Sequence, residues 1–141
     1  MIGKNNLLNI RNSSAFNWLG QTGSTRGFAD FDSVETCRRA GLYLLRRSYR
    51  RAHCKTVESI IKRWAPETEN DTRSYITFVC KTTGFRPTDV MVFDSDFAAL
   101  LASMEIMENG YIGLRRKSHF ETAKESYLKL CETYQIKNYE D

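Results

Sequence analysis

One carboxylate lies among apolar residues near the end of a predicted helix. At about 100° per residue, Glu108 projects within roughly 20° of Phe97 and between Leu101 and Met104, whereas Glu105 falls at the edge of this apolar stripe. A carboxylate on a core-facing stripe is costly to ionise, and the negative end of the helix dipole adds to that cost. We therefore predict that Glu108 keeps its proton near neutral pH, as a general acid requires. The alternative is a frayed helix end at which Glu108 turns to water or pairs with an arginine.

Five helices are predicted to position this residue after an irregular segment of loops and short extended pieces over residues 1–31. The first follows a capping box at Asp32-x-x-Glu35, and the last opens at a second capping box, Ser118-x-x-Glu121. Between them, three helices are predicted to begin at Thr56, at Asp71 or Thr72, and at Asp94 or Ser95, and to end at Pro66, Gly84 and Asn109-Gly110. Residues 87–93 fit a short strand or a loop.

The composition is that of one ordinary globular domain. The chain has 141 residues, of which 41% are hydrophobic and 27% charged, and no linker divides it. We therefore expect a mostly α, compact single domain over residues 1–141. Residues 1–6 lack the apolar run of a signal peptide, and no stretch is long enough to span a bilayer. The expected place of synthesis is the cytoplasm.

Arginines give the chain its excess of positive charge. The formal net charge is +4, and one predicted helix face carries a row of arginines opposite its apolar stripe: Arg39, Arg46, Arg47 and Arg50. Such a ridge can neutralise phosphates, which makes a nucleic-acid-binding module one alternative function. Because no aromatic residue lies among these arginines to stack on bases, a solvated face is favoured. The same ridge could hold an anionic cell envelope close to the protein.

The cysteines favour neither a metal site nor a nucleophile. They are widely spaced and form no C-x-x-C pair, so we expect reduced thiols, with the first and last of the four on apolar helix faces: Cys37, Cys54, Cys80 and Cys131. His53 is adjacent to Cys54, and adjacent residues rarely face each other, so a cysteine hydrolase using His53 or His119 is disfavoured. No metal or organic cofactor is expected.

Several strings resemble known cell-wall enzymes. N-N-L-L-N-I-R at residues 5–11, W-L-G at 18–20 and G-F-A-D-F-D-S at 27–33 are similar to the bacterial glucosaminidase pattern N-N-L-F-G-I-K, W-x-G and aromatic-x-x-aromatic-x-S. Residues 63–75 correspond to the Y-A-T-D-P-x-Y segment of those enzymes and to a comparable segment in lytic transglycosylases. Residues 5–110 resemble more closely a family of small phage and prophage proteins that share N-I-R, W-A-P-x-x-E-N-D-T-x-x-Y and E-N-G and are usually labelled structural or lysozyme-like.

The resemblance implies a lysozyme-like fold with one rearrangement. Glucosaminidases carry the catalytic glutamate in an E-S-G-like sequence upstream of N-N-L-F-G-I-K, where this chain has no room. Glu108-Asn109-Gly110 is similar to that sequence but lies near the other end of the chain. A circular permutation, which moves the helix of the acid to the back of the domain, would preserve the order of the motifs. Residues 118–134 lie outside the resemblance and are expected to pack as an extra layer.

The implied activity is cleavage of peptidoglycan glycan strands. Glu108 would protonate the glycosidic oxygen, Tyr75 would steady the acid or the developing positive charge, and Asp71 or Glu69 would hold a water for inverting hydrolysis. With no second carboxylate, the sugar's own hydroxyl would attack and give an anhydro product. Substrate contacts are expected from Trp18, Phe31, Trp64, Glu69 and Asn70. Delivery to the wall would then need a phage particle, a lysis system or a secretion machine.

Each of these residues also has an ordinary structural explanation. Asn70-Asp71-Thr72 fits a helix cap, and Trp64 fits core packing. Tyr75 is nearly as consistent with the core as with a cleft. A virion component that kept the fold without the chemistry is therefore the main alternative to an enzyme.

Overall fold

A buried asparagine organises the N-terminal segment. In the computed structural model, which describes residues 1–134, the Asn6 side chain is fully buried. Its Nδ2 donates to the carbonyl oxygens of Ile10 and Ala29 at 2.9 and 2.8 Å, and its Oδ1 accepts from the backbone N–H of Ile10 at 2.9 Å. A buried amide is stable in the core when its polar atoms are hydrogen-bonded, as they are here. The Asn6 side chain therefore holds the turn at residues 6–10 against the strand that contains Ala29.

The extended pieces expected before residue 32 form a β-hairpin. Strand β1 (Gln21–Thr25) pairs antiparallel with β2 (Phe28–Phe31), with Thr25 opposite Phe28. The two-residue loop between them has φ of 51° at Arg26 and 85° at Gly27. Positive φ at both loop residues is typical of the type I′ turn, whose twist matches that of the strands. Ala29 and Phe31 of β2 are fully buried.

The first helix begins one residue later than the predicted capping box requires. Helix α1 (Val34–Tyr43) has Ser33 as its N-cap, and the Ser33 hydroxyl accepts from the backbone N–H of Thr36 at 3.2 Å. Asp32 instead accepts from the Thr36 hydroxyl at 2.8 Å. The predicted box between Asp32 and Glu35 is therefore wrong, because the neighbouring serine takes the capping position.

A π-helical segment (Leu44–Tyr49) continues α1 and changes which residues face the core. Its i→i+5 hydrogen bonds rotate the following side chains away from their positions in an α-helix. Arg46 is consequently buried, with Nη1 at 2.5 Å from the Asp94 carboxylate and its guanidinium over the Phe97 ring. Arg39 and Arg47 are half-buried over the rings of Tyr134 and Tyr43. The predicted solvated arginine ridge is therefore wrong.

Helices α2 (Val57–Trp64), α3 (Thr72–Thr83) and α4 (Asp94–Asn109) lie where the sequence predicts them. Thr56 caps α2 and Asp71 caps α3, and α3 ends at Gly84 in the left-handed conformation. The predicted cap of α4 at Asp94 or Ser95 is wrong: the Asp96 carboxylate accepts from the backbone N–H groups of Val92 and Phe93. Residues 87–93 form a loop with one bridge, between Thr56 and Val90.

The last helix, α5, is longer than predicted and completes the core. It extends from Gly113 to Tyr134 without a break, so the predicted capping box at Ser118 and Glu121 is wrong and both residues lie exposed within the helix. Ala123, Tyr127, Leu130 and Cys131 are buried against the helices before them, so α5 is part of the core rather than an extra layer. Helix α4 lies at the centre, packed against α1, α3 and α5. The prediction of a mostly α structure is confirmed.

Candidate functional site

Glu108 lies in the last turn of α4 and is held by two other parts of the chain. Its Oε2 accepts a hydrogen bond from the Tyr75 hydroxyl at 2.8 Å, and its Oε1 accepts one from Asn9 Nδ2 at 3.0 Å. The side chain is half-buried rather than sealed in the core. Tyr75 and Asn9, which lie 33 and 99 positions away in sequence, therefore fix both oxygens of this carboxyl group at the surface of the protein.

The position of Tyr75 follows from the way that α3 begins. Asp71 accepts from the backbone N–H and hydroxyl of Ser74 at 3.1 and 2.8 Å, which starts the helix there and places Tyr75 in its first turn. Tyr75 is 4% exposed. Burial, together with the adjacent Glu108 carboxyl group and its hydrogen bond, raises the pKa of Tyr75 well above its ordinary value. Tyr75 therefore stays protonated and donates its hydrogen.

Asn9 is a residue that sequence reasoning missed as a partner of Glu108. It adopts a left-handed φ of 53°, which favours glycine and which asparagine tolerates better than most residues. It occupies the position at which the glucosaminidase pattern has glycine. The signal was therefore present in the sequence, since an asparagine at a glycine position keeps the backbone conformation and adds a side-chain donor.

Glu108 opens into a groove of about 380 Å³, named here the Glu108 groove. Its walls come from the N-terminal segment, the hairpin, the π-helical segment and the end of α2. They combine aromatic rings with a few polar and charged groups: Asn9, Arg11, Phe16, Trp18, Phe28, Tyr49, Arg63, Trp64, Glu69, Asn70 and Glu108. Concave sites of this composition are typical of ligand-binding sites.

Most of the predicted substrate contacts meet in this groove. Trp18, Trp64, Glu69 and Asn70 all line it. Trp18 is only 8% exposed, and Phe16 stacks on its ring at a centroid distance of 4.4 Å and an interplanar angle of 7°. The more accessible ring on this wall is therefore that of the half-buried Phe16, which the sequence did not single out.

Two predicted site residues lie elsewhere. Phe31 is fully buried in the core, so it presents no ring face to a sugar, contrary to prediction. Asp71 is exposed, is not part of the groove wall and caps α3. The Ser74 hydroxyl and backbone N–H hold the pKa of Asp71 below its ordinary value. Glu69 does line the groove and forms an exposed ion pair with Arg11 at 3.6 Å.

A second carboxylate on α4, that of Glu105, is fully buried, whereas Glu108 is half-buried. The prediction that Glu105 lies at the edge of the apolar stripe is therefore wrong. Arg38 donates to both of its oxygens at 2.9 and 3.0 Å, Tyr127 donates at 2.5 Å, and His119 Nε2 lies at 2.8 Å. Burial raises the pKa of Glu105, but hydrogen bonds from His119 and Arg38 outweigh it, and the net pKa is lowered. Glu105 is therefore an ionised group that joins α1, α4 and α5.

The remaining candidates from the sequence give no second site. All four cysteines are free, and the predicted burial of Cys37 and Cys131 is confirmed. Burial raises the pKa of Cys37 to about 12, so this thiol is no nucleophile. Within residues 1–134, no cluster of three His, Cys, Asp or Glu side chains fits a metal ion. In the same residues, no helix combines the length and hydrophobicity needed to cross a membrane.

One comparison with known proteins decides the family. The chain is 37% identical over 110 residues to protein P5 of Pseudoalteromonas phage PM2, which covers 75% of this chain and 68% of the phage protein. The chain belongs to the protein P5 family. This confirms the expected relation to phage proteins. No family model matches the chain.

Proposed function

We propose that this member of the protein P5 family cleaves the glycan strands of peptidoglycan with Glu108 as the general acid. The observation that carries the proposal is the position of Glu108, which is held at both oxygens by Tyr75 and Asn9 and faces an aromatic-lined groove. An acid that protonates a glycosidic oxygen needs both a fixed orientation and an open path to its substrate.

The first step would transfer the proton of Glu108 to the oxygen of the bond between two amino sugars. The bond from this oxygen to the anomeric carbon breaks, and positive charge develops on the sugar ring. The resulting Glu108 carboxylate is stabilised by the hydrogen that Tyr75 donates to Oε2 and by the amide hydrogen of Asn9. Both donors are in place before the reaction, so little rearrangement is needed.

The second step depends on the nucleophile. Of the two predicted bases, Glu69 lines the groove and Asp71 does not, so Glu69 is the better candidate to activate water in an inverting hydrolysis. If the nucleophile is a hydroxyl of the same sugar, the Glu108 carboxylate takes its proton and an anhydro sugar results. The two routes give different ends on the released fragments, which mass spectrometry distinguishes.

The groove walls suit a sugar chain. Phe16, Phe28 and Trp64 offer rings against which the apolar faces of sugars can stack, and Asn70 offers an amide for hydroxyl and acetamido groups. Arg11 and Arg63 lie in the same walls, and peptidoglycan carries carboxylates on its peptides and lactyl groups. The aromatic rings, together with these polar and charged groups, therefore favour a sugar polymer that carries carboxylates.

A circularly permuted, single lysozyme-like domain is supported by contacts between the two motif regions. Besides the bond from Asn9 to Glu108, Asn109 Nδ2 donates to the Leu7 carbonyl at 2.8 Å. The N-N-L-L-N-I-R segment thus lies directly against the end of the helix that carries Glu108, as it would if that helix once preceded it in sequence. We infer that a phage particle or lysis system carries the protein to the cell wall, because its relative is a phage protein.

Digestion of purified peptidoglycan tests the proposal. Wild-type protein should release muropeptides, and Glu108→Gln should reduce the rate by roughly 100-fold or more, because the amide has no acidic proton to transfer. The exposed Glu125→Gln on α5 is the matched control and should retain activity. Equal release by wild type and Glu108→Gln would exclude Glu108 as the acid.

A non-catalytic virion component is the second candidate. It is favoured by the relation to a phage protein and by the two hydrogen bonds at Glu108, which would also suit a purely structural anchor. In that case no wall type would yield fragments, and Glu108→Gln would change only the thermal stability. Assays on walls of several bacterial species, including the natural host, therefore separate the two functions.

A further inference from the structure

The turn between α4 and α5 exposes two large aliphatic side chains. Ile112 is 74% exposed and Leu114 is 88% exposed, more than any other large hydrophobic residue within residues 1–134. The surrounding chain is exposed as well, over residues 112–118. The two side chains therefore project into solvent at the tip of this turn.

Three cations follow these aliphatic residues directly. Arg115, Arg116 and Lys117 are all exposed, and within the described residues none of them forms an ion pair with a carboxylate. Arg115 lies over the Tyr111 ring at 4.4 Å, and Arg116 lies over the Phe78 ring at 5.0 Å. The aromatic rings keep both guanidinium groups beside the aliphatic tip without neutralising them.

A shallow hollow beside the tip extends the positive surface onto α3. It has a volume of about 410 Å³, and Lys81, Arg116 and Lys117 line it together with the rings of Phe78 and Phe120. Glu121 is the only acidic residue in its lining. Residues 111–117, Lys81 and the two rings are named here the tip surface.

We propose that the tip surface docks on an anionic phospholipid bilayer. Such a surface fits the boundary between the headgroups and the acyl chains of a bilayer. There the aliphatic side chains would be buried among the acyl chains, and the cations, which have no carboxylate partner, would meet the phosphates. The excess of cations favours an anionic surface as the partner, and a bare polyanion gives no reason to expose Ile112 and Leu114. The contact would be peripheral, since no helix of the described residues can span a membrane.

Docking would also orient the Glu108 groove, since the tip begins within four residues of Glu108 in sequence. A bilayer-bound protein would then hold its groove at a fixed distance from the membrane. This proposal is independent of the proposed glycan cleavage, because its measurement requires no enzymatic activity.

Co-sedimentation with phospholipid vesicles tests the proposal. Wild-type protein should sediment with vesicles rich in phosphatidylglycerol, bind vesicles of pure phosphatidylcholine far more weakly and dissociate as salt rises. Replacing Arg115, Arg116 and Lys117 by Gln should weaken binding roughly 100-fold. The double variant Ile112→Ser, Leu114→Ser should weaken it about tenfold or more, because the aliphatic insertion is lost.

Matched controls place the same changes elsewhere on the surface. Phe93→Ser removes a side chain that is 69% exposed outside the tip, and the triple variant Arg26→Gln, Lys62→Gln, Lys129→Gln removes three exposed cations. Both should bind phosphatidylglycerol vesicles as wild type does. Absence of wild-type binding, or equal losses in the controls, would overturn the proposal. The proposal would also be overturned if the protein bound duplex DNA as tightly as vesicles and if the Ile112 and Leu114 changes left DNA binding unaffected.

Discussion

At the scale of single residues, the two glutamates in the last turns of α4 have contrasting partners. Glu105 is fully buried and is paired with the permanent cation Arg38, which fixes it in the ionised state. Glu108 is bonded by a phenol and an amide, both neutral, and faces the groove. Of the two, only Glu108 can contact a molecule that enters the groove.

Asn9 should hold the Glu108 carboxyl group in the orientation that cleavage requires. Its amide fixes Oε1, and glycine in its place keeps the left-handed backbone without strain but loses this hydrogen bond. Asn9→Gly should therefore lower the rate of peptidoglycan cleavage by roughly tenfold or more. The measurement is the rate of muropeptide release at a fixed pH.

Asn5→Gly is the control for this experiment. Asn5 also has a positive φ, of 57°, but its side chain donates to the Phe31 carbonyl and does not contact Glu108. Asn5→Gly should leave the cleavage rate of the folded protein unchanged, even if it lowers stability. An unchanged rate in Asn9→Gly would show that the bond to Asn9 only holds the N-terminal segment in place.

At the scale of secondary-structure elements, Glu105 joins three helices. Its pKa is lowered in the folded state, so the associated stability is present above the ordinary value near 4.5 and is lost as pH falls through the folded pKa. Glu105→Gln leaves Arg38 buried without a counter-charge and should lower the free energy of unfolding at pH 7 by about 3–5 kcal/mol. At pH 3 the same substitution should cost clearly less.

Urea denaturation of wild type and Glu105→Gln at the two pH values measures this difference. Glu125→Gln, exposed on α5, should change the free energy of unfolding by less than about 0.5 kcal/mol at either pH. A Glu105→Gln penalty that is the same at pH 3 and pH 7 would contradict an ionised Glu105 in the folded protein.

The helix boundaries show what the sequence can and cannot predict. Thr56, Asp71, Gly84 and Gly110 mark helix ends as expected, because capping and left-handed glycine depend on local chemistry. The burial of Arg46 was not predictable from an α-helical period, because the π-helical segment changes that period. Glu105 was misassigned because its partners Arg38 and Tyr127 come from distant parts of the chain.

The site divides in the same way. The motifs single out five residues that line one groove in the structure: Trp18, Trp64, Glu69, Asn70 and Glu108. Phe31 was misplaced because strand alternation, which sets the inward face of β2, needs the hairpin register. Asn9 was missed because its role depends on a backbone angle and on a contact across 99 positions.

At the scale of the whole molecule, the stability of the fold depends on α5, which lies outside the resemblance described for residues 5–110. It buries Ala123, Tyr127, Leu130 and Cys131 against the core and supplies two partners of Glu105, Tyr127 and His119. Burial of four such side chains contributes on the order of 5–8 kcal/mol, which is comparable to the whole stability of a small domain. A chain of residues 1–112 would also expose the apolar face of α4.

We therefore expect residues 1–112 alone to lack a cooperative fold. Circular dichroism should show weak helicity and no cooperative thermal transition, whereas the full chain should melt in one step. Tyr127→Phe in the full chain isolates the hydroxyl that bonds Glu105 and should lower the melting temperature while keeping a cooperative transition. If residues 1–112 instead kept their helical content and melted cooperatively, α5 would be an added layer on a domain that folds without it. The contacts of Glu105 with Tyr127 and His119 would then not be required for folding.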